Sequence, residues 1–253
     1  MFTFVLEFNN LALLVAEKIE AIKNKFGSYD PHYFYVGYST PDFYNHIDPN
    51  HCKQCREIFE YMVKNKEQMK TTKENWEQAT ANLRNRGVRS TVGESVEAIR
   101  VRDYAAHLLK VYVGESLLDV GCGDQFIKKC IDPKVRYIGL DAFPVFSNPA
   151  LLYETWMGNI EDEKWIEFFD KKIDTICAFA VMDNCLDFDK AIENMKQIAQ
   201  KNIVFLTGAN IEVDRFHTFK LQLSDFDYRF SDWNKTYAEE IIPKVWLLEY
   251  TRP

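Results

Sequence analysis

Residues 117–124 read Leu-Leu-Asp-Val-Gly-Cys-Gly-Asp, an apolar run that ends in Asp119 and breaks at Gly121 and Gly123. A second apolar run, Tyr137-Ile-Gly-Leu, ends in Asp141. Two short strands of the buried type, each closing on a carboxylate and the first followed by paired glycines, leave few folds open. The glycines let the backbone turn sharply and approach a ligand with no Cβ in the way. A carboxylate at the tip of the neighbouring strand is placed to accept hydrogen bonds from both hydroxyls of a ribose. The pair predicts a parallel sheet whose strand ends hold an adenosine-bearing ligand.

The rest of the chain divides in two. Residues 1–110 carry helical periodicity without a strand pattern and are expected to form a helical region serving as cap, lid or dimerisation element; residues 111–253 form the ligand-binding domain. In the first part, an amphipathic helix ends near Phe26-Gly27, an aromatic- and proline-rich segment fills 28–50, and helices follow at about 52–64, 66–85 and 92–110. The stretch Lys64–Arg86 is polar enough to lie solvated on the surface. In the second part, strands are expected at 116–120, 135–140, 151–156, 173–180, 201–206, about 214–221 and 244–250, with helices at 124–131, 161–170, 187–200 and 223–230.

Composition removes several classes of function. A net charge of −7 argues against a general nucleic-acid binder, which carries a basic footprint. No run is long and apolar enough for a membrane span, and Met1–Ala16 lacks a basic start, so a cytoplasmic protein is expected. The cysteines at 52, 55, 122, 130, 177 and 185 fall mostly in core elements and read as free thiols. His51-Cys-Lys-Gln-Cys55 has no second ligand pair nearby, so Cys52 and Cys55 read as one face of a helix and no metal is expected.

Together these motifs resemble the class I S-adenosylmethionine-dependent methyltransferases over about residues 92–253. Leu117-Leu-Asp-Val-Gly-Cys-Gly is similar to the first motif of that family, and Tyr137-Ile-Gly-Leu-Asp141 to the second. Gly158-Asn159-Ile160 matches the adenine-flanking position, with Asn159 where an acid is commoner. Phe179-Ala-Val-Met-Asp-Asn-Cys-Leu-Asp resembles the fourth motif, and Lys244-Val-Trp-Leu-Leu-Glu-Tyr the final antiparallel strand. The resemblance implies a Rossmann-like α/β fold: a seven-stranded, mostly parallel sheet with helices on both faces.

It also implies S-adenosyl-L-methionine as cofactor, held by Asp119, Gly121, Gly123, Gln125, Asp141, Ala142, Asn159, Ile160 and Ala180. Asp119 would order the glycine loop, and Gln125, standing where a third glycine is common, would narrow the pocket or touch the methionine end. A dinucleotide loop requires G-x-G-x-x-G, and here Phe126 takes the place of the third glycine. A nicotinamide-dependent oxidoreductase is therefore the alternative enzyme, and a catalytically silent assembly protein the alternative without chemistry.

Two residues are candidates for the reaction itself. Asp183, with Asn184, ends the fourth strand and reads equally as an acceptor-side acid or a helix N-cap. His217, in Asp214-Arg-Phe-His-Thr-Phe, reads as a general base or a partly buried structural histidine, since imidazoles titrate near neutral pH. Arg215 reads first as a surface cation. By analogy the acceptor is a small polar molecule, such as a sugar, a nucleotide-linked sugar or a surface-polysaccharide precursor, methylated on oxygen; a homodimer is a further expectation.

Overall fold

The computed structural model describes residues 68–85, 96–142, 155–169, 173–214 and 217–253. The readings made for residues 1–67, for Arg215 and for the start of the third strand lie outside these residues. Lys66–Pro253 forms one compact unit, separate from Met1–Asn65.

Seven strands make one sheet: β1 (Ser116–Val120), β2 (Arg136–Asp141), β3 (Thr155–Met157), β4 (Ile173–Phe179), β5 (Ala199–Gly208), β6 (Asn234–Ile242) and β7 (Val245–Thr251). Their order is β3-β2-β1-β4-β5-β7-β6. Strands β1 to β5 are mutually parallel, and β7 runs antiparallel to both its neighbours. The winding reverses between β1 and β4, which opens a crevice at their carboxyl ends, the place where sheets of this kind bind ligands.

Alternation along the strands supplies two cores. Leu118, Ile176, Ile203, Phe205 and Leu248 face one side, where α3 (Lys164–Phe169), α4 (Phe188–Ile198) and α5 (Leu223–Arg229) cover them. Leu117, Cys177, Val204, Leu206 and Leu247 face the other, against Val101, Ala105 and Leu109 of α2 (Val96–Tyr112). Helices on both faces, expected from the resemblance, are present. Across the first face, Arg229 of α5 makes a buried two-pronged pair with Asp189 of α4, at 2.9 and 3.0 Å. No helix of the described residues is long and apolar enough to cross a membrane.

Three sequence expectations need correction. The sixth strand is Asn234–Ile242, whereas 217–221 is irregular. Phe219 and Leu221 alternate and are buried as in a strand, but the Thr218 and Phe219 amides donate to the Asp183 carbonyl instead of to a ladder. The true β6 is an edge strand whose polar residues (Lys235, Thr236, Glu239, Glu240) hide its period, as exposed edges commonly do. The helix expected at 124–131 shrinks to one 3₁₀ turn, Ile127–Lys129, because Gln125 takes a left-handed backbone (φ 56°) that no α-helix can contain.

The polar stretch 64–86 is not wholly solvated. Within it, α1 (Lys73–Asn85) begins after Thr72, whose hydroxyl caps the Asn75 amide at 3.2 Å. Trp76 and Ala79, three residues apart and so on one face, are buried.

Candidate active site

The loop after β1 is built on positive backbone angles, 69° at Gly121 and 48° at Gly123. At Gly121 a Cβ would come within 2.6 Å of Val181 Cγ2, a contact real side chains never make. Glycine there serves two needs: a left-handed turn, and the close approach of the loop after β4. Gly121→Ala is expected to cost about 2–4 kcal/mol, from left-handed strain plus overpacking. Denaturant unfolding would measure it, and a loss under about 1 kcal/mol would show the loop to be free to shift.

The carboxylate that holds this loop is Asp141, at the end of β2: its Oδ2 accepts the Gly123 amide at 2.9 Å. Ala142 follows it on the same rim. Asp119, expected in that ordering role, is turned into the sheet instead. It is buried and accepts from the Tyr137 hydroxyl at 2.6 Å and the Cys177 thiol at 3.4 Å. Burial pushes its carboxyl up to about 7, against the pull of those two donors.

The folded value lies above the unfolded value of about 3.9, so protonation favours the native state. The stability Asp119 contributes is full at low pH and is lost as pH rises through the interval from about 4 to about 7. Asp119→Asn, which cannot ionise, is expected to raise the melting temperature at pH 8, with the gain shrinking toward pH 5. A constant difference across that range would refute this account.

Gln125 is turned toward β3. It is 1% exposed, and its Nε2 donates to Thr155 Oγ1 of β3 at 2.8 Å, leaving Oε1 without a partner among the described residues. Among the described residues, four other than glycine have positive φ: Gln125, Ala180, Asn210 and Lys244. Two of them, Gln125 and Ala180, stand on the loops that border the crevice, and strained backbone of this kind gathers at functional sites. Ala180 is fixed by its amide, which donates to the Leu206 carbonyl at 2.7 Å.

After β3, the carbonyl of Asn159 accepts the Trp165 indole N–H at 2.8 Å, and the Ile160 side chain is sunk into the core. The next residue, Glu161, was not singled out in the sequence. Its half-buried carboxylate accepts the Leu186 amide at 2.8 Å, joining the loop after β3 to the loop after β4, and desolvation raises its carboxyl.

Asp183 and His217 are brought together. The helix N-cap role weighed for Asp183 belongs to Asp187, whose carboxylate accepts the Lys190 amide at 3.0 Å. Asp183 lies instead in a 3₁₀ turn (Met182–Asn184) with Oδ2 3.7 Å from His217 Nε2. The other ring nitrogen, Nδ1, sits 2.8 Å from Asp214 Oδ1, which also accepts the His217 amide at 2.9 Å. Burial raises the Asp183 carboxyl, and the facing imidazole offsets part of that rise. Asp214 was quoted in the sequence only as a neighbour; the Asp-x-x-His spacing of a capped turn was the available signal.

Among the described residues, three thiols are chemically quiet. Cys122 is part of the glycine loop, its side chain turned inward with Sγ 2.9 Å from where a Cβ on Gly139 would stand. Cys122, Cys177 and Cys185 are buried and free, and burial pushes all three thiols up. An open groove of about 900 Å³ lined by Lys110, Gly114, Ile131 and Lys134 lies beside the start of β1, away from these loops.

Solved structures with this arrangement of elements are numerous. The chain is similar to PH0226 from Pyrococcus horikoshii OT3, with a TM-score of 0.53 and 12% identity over 68% of this chain and 99% of that one. It is also similar to magnesium protoporphyrin IX methyltransferase from Synechocystis PCC 6803. With bound SAH the TM-score is 0.51 at 10% identity, over 71% of this chain and 97% of that one. With bound SAM it is 0.50 at 11% identity, over 71% and 94%. The chain has the class I S-adenosylmethionine-dependent methyltransferase fold. No protein-family model matches the sequence, and no curated protein matches it. Within this methyltransferase fold, the Gly121–Gln125 loop, Asp141 and the Ala180–Asn184 segment occupy the carboxyl edge of β1, β2 and β4, around the point where the winding reverses.

Proposed function

We propose that this chain is an S-adenosylmethionine-dependent methyltransferase that methylates a hydroxyl of a small polar acceptor, of the class of sugars, nucleotide-linked sugars or polysaccharide precursors. The observation that carries the cofactor reading is the Asp141 carboxylate, which fastens the left-handed glycine loop at the end of the neighbouring strand. A carboxylate at the tip of this strand is the group type and position that a ribose's hydroxyls call for. Gly121 and Gly123 leave backbone, not side chains, toward the donor, and the carboxylates of Asp141 and Asp183 suit a cationic sulfonium.

Bound S-adenosylmethionine supplies a methyl group already activated on sulfur, so the protein's task is to orient the acceptor and take up its proton. Asp214 fastens Nδ1 of His217 and so fixes the ring, leaving Nε2 as the base. At 3.7 Å the gap from Nε2 to Asp183 is too long for a direct hydrogen bond but close enough to steady the charge the ring gains with the proton. Trp165 and Ile160 back the loop after β3 and keep that side of the crevice apolar.

Two measurements test the proposal. Calorimetry should find micromolar or tighter binding of S-adenosylhomocysteine and none of NAD; no binding of the first would sink the cofactor reading. Label transfer from S-adenosylmethionine to a panel of sugars and nucleotide-linked sugars would identify the acceptor class, and transfer only to amines would overturn the hydroxyl reading.

A further inference from the structure

Helix α1 reaches the candidate base through an unbroken line of polar contacts. Trp76 is 8% exposed, and its Nε1 donates to the carbonyl of Asn184 at 2.9 Å, 108 positions along the chain. The side-chain Nδ2 of Asn184 donates to Asp183 Oδ1 at 3.3 Å. Asp183 Oδ2 faces His217 Nε2 at 3.7 Å, and His217 Nδ1 meets Asp214.

The turn in the middle needs outside support. A single 3₁₀ turn makes few and poor bonds of its own, and Met182–Asn184 has one, from the Asn184 amide to the Val181 carbonyl at 2.9 Å. On one side Thr218 supports it, its amide and hydroxyl both reaching the Asp183 carbonyl, at 2.9 and 2.8 Å. On the other side stands Trp76. Trp76 is itself anchored, because the residues just before α1 lie along the same segment. The Thr71 amide donates to the Leu186 carbonyl and the Phe188 amide to the Met69 carbonyl, each at 3.0 Å, and the Met69 amide donates to Asp189 at 2.7 Å. A buried indole N–H has to find an acceptor, and this one finds the backbone beside Asp183.

We propose that Trp76 is a positioning residue for the Asp183–His217 pair, its indole N–H holding the turn that carries Asp183 at its distance from the ring. This rests on the reading of His217 as the base, but its test does not depend on turnover. Trp76→Phe keeps the ring and removes the donor. Among the described residues, the charged groups in contact with His217 are Asp183 and Asp214. If the turn relaxes, Asp183 moves off the ring and the surroundings of Nε2 change.

In the ¹⁵N-labelled full chain, the ring resonances of His217 can be assigned by their loss in His217→Asn. In Trp76→Phe, the His217 ring resonances are expected to move at fixed pH, because the Asp183 carboxylate that faces Nε2 is displaced. Affinity for S-adenosylhomocysteine should stay within about twofold. Ala79→Ser, three residues further along the same helix face, should lower the melting temperature and leave the ring resonances in place. From the other end of the line, His217→Asn should move the Trp76 indole resonance. Unmoved ring resonances in folded Trp76→Phe, or an indole resonance indifferent to His217→Asn, overturn the proposal. Methyl transfer that survives His217→Asn overturns the base reading and leaves the Trp76 coupling standing.

Discussion

Replacing Asp141 with alanine is expected to cut the affinity for S-adenosylhomocysteine by about 10²–10³-fold. The change removes the acceptor of the Gly123 amide, so the loop loses its fastening, and it removes the carboxylate offered to the ribose. Hydrogen bonds to a charged group contribute about 1.5–3 kcal/mol each, and about 1.4 kcal/mol is tenfold in affinity. Asp141→Asn keeps one acceptor oxygen and should recover part of the loss. Calorimetry on both variants decides the matter: an alanine variant within about threefold of the unmodified chain would show that Asp141 does not hold the cofactor.

The second large effect is on rate. His217→Asn should slow methyl transfer by about 10²–10³-fold, the usual worth of a positioned acid or base. Affinity for S-adenosylhomocysteine should be nearly unchanged. The acidic limb of the rate–pH profile should vanish with the ring, because only an unprotonated imidazole can accept a proton. Asp183→Asn should slow the reaction less, since it removes the charge facing the ring and leaves the ring itself fixed by Asp214. A His217→Asn enzyme with full turnover would point instead to an acceptor that needs no base, such as an amine already uncharged.

The central strands were legible because buried parallel strands are written as near-continuous apolar runs: Leu117–Val120, broken only by Asp119, Ile176–Phe179 and Ile203–Leu206. The edge strand Asn234–Ile242 was illegible for the converse reason, since its exposed positions are filled with charge. Phe219 and Leu221 misled because alternation records burial, not ladder pairing, and these two plug the core from a loop.

In the candidate site, motif spacing led to Asp141, and strand-end position led to Asp183. Nothing local could show that Asp119 would turn toward Tyr137, that Gln125 would turn toward Thr155, or that Glu161 would clasp the amides after β4. Those contacts join residues distant in sequence, and a single indole on a polar helix carries no periodicity that announces its partner.

Among the described residues, three buried thiols give the molecule a built-in set of reporters. A thiol reagent can react only with a sulfur that has been uncovered and ionised, and here each sulfur lies in a different layer. Cys122 is within the glycine loop, Cys177 inside the sheet at β4, and Cys185 just past the turn that carries Asp183. Alkylation rates at the three positions therefore separate loop opening, turn opening and global unfolding within one unmodified chain, with no label or inserted probe to disturb the packing.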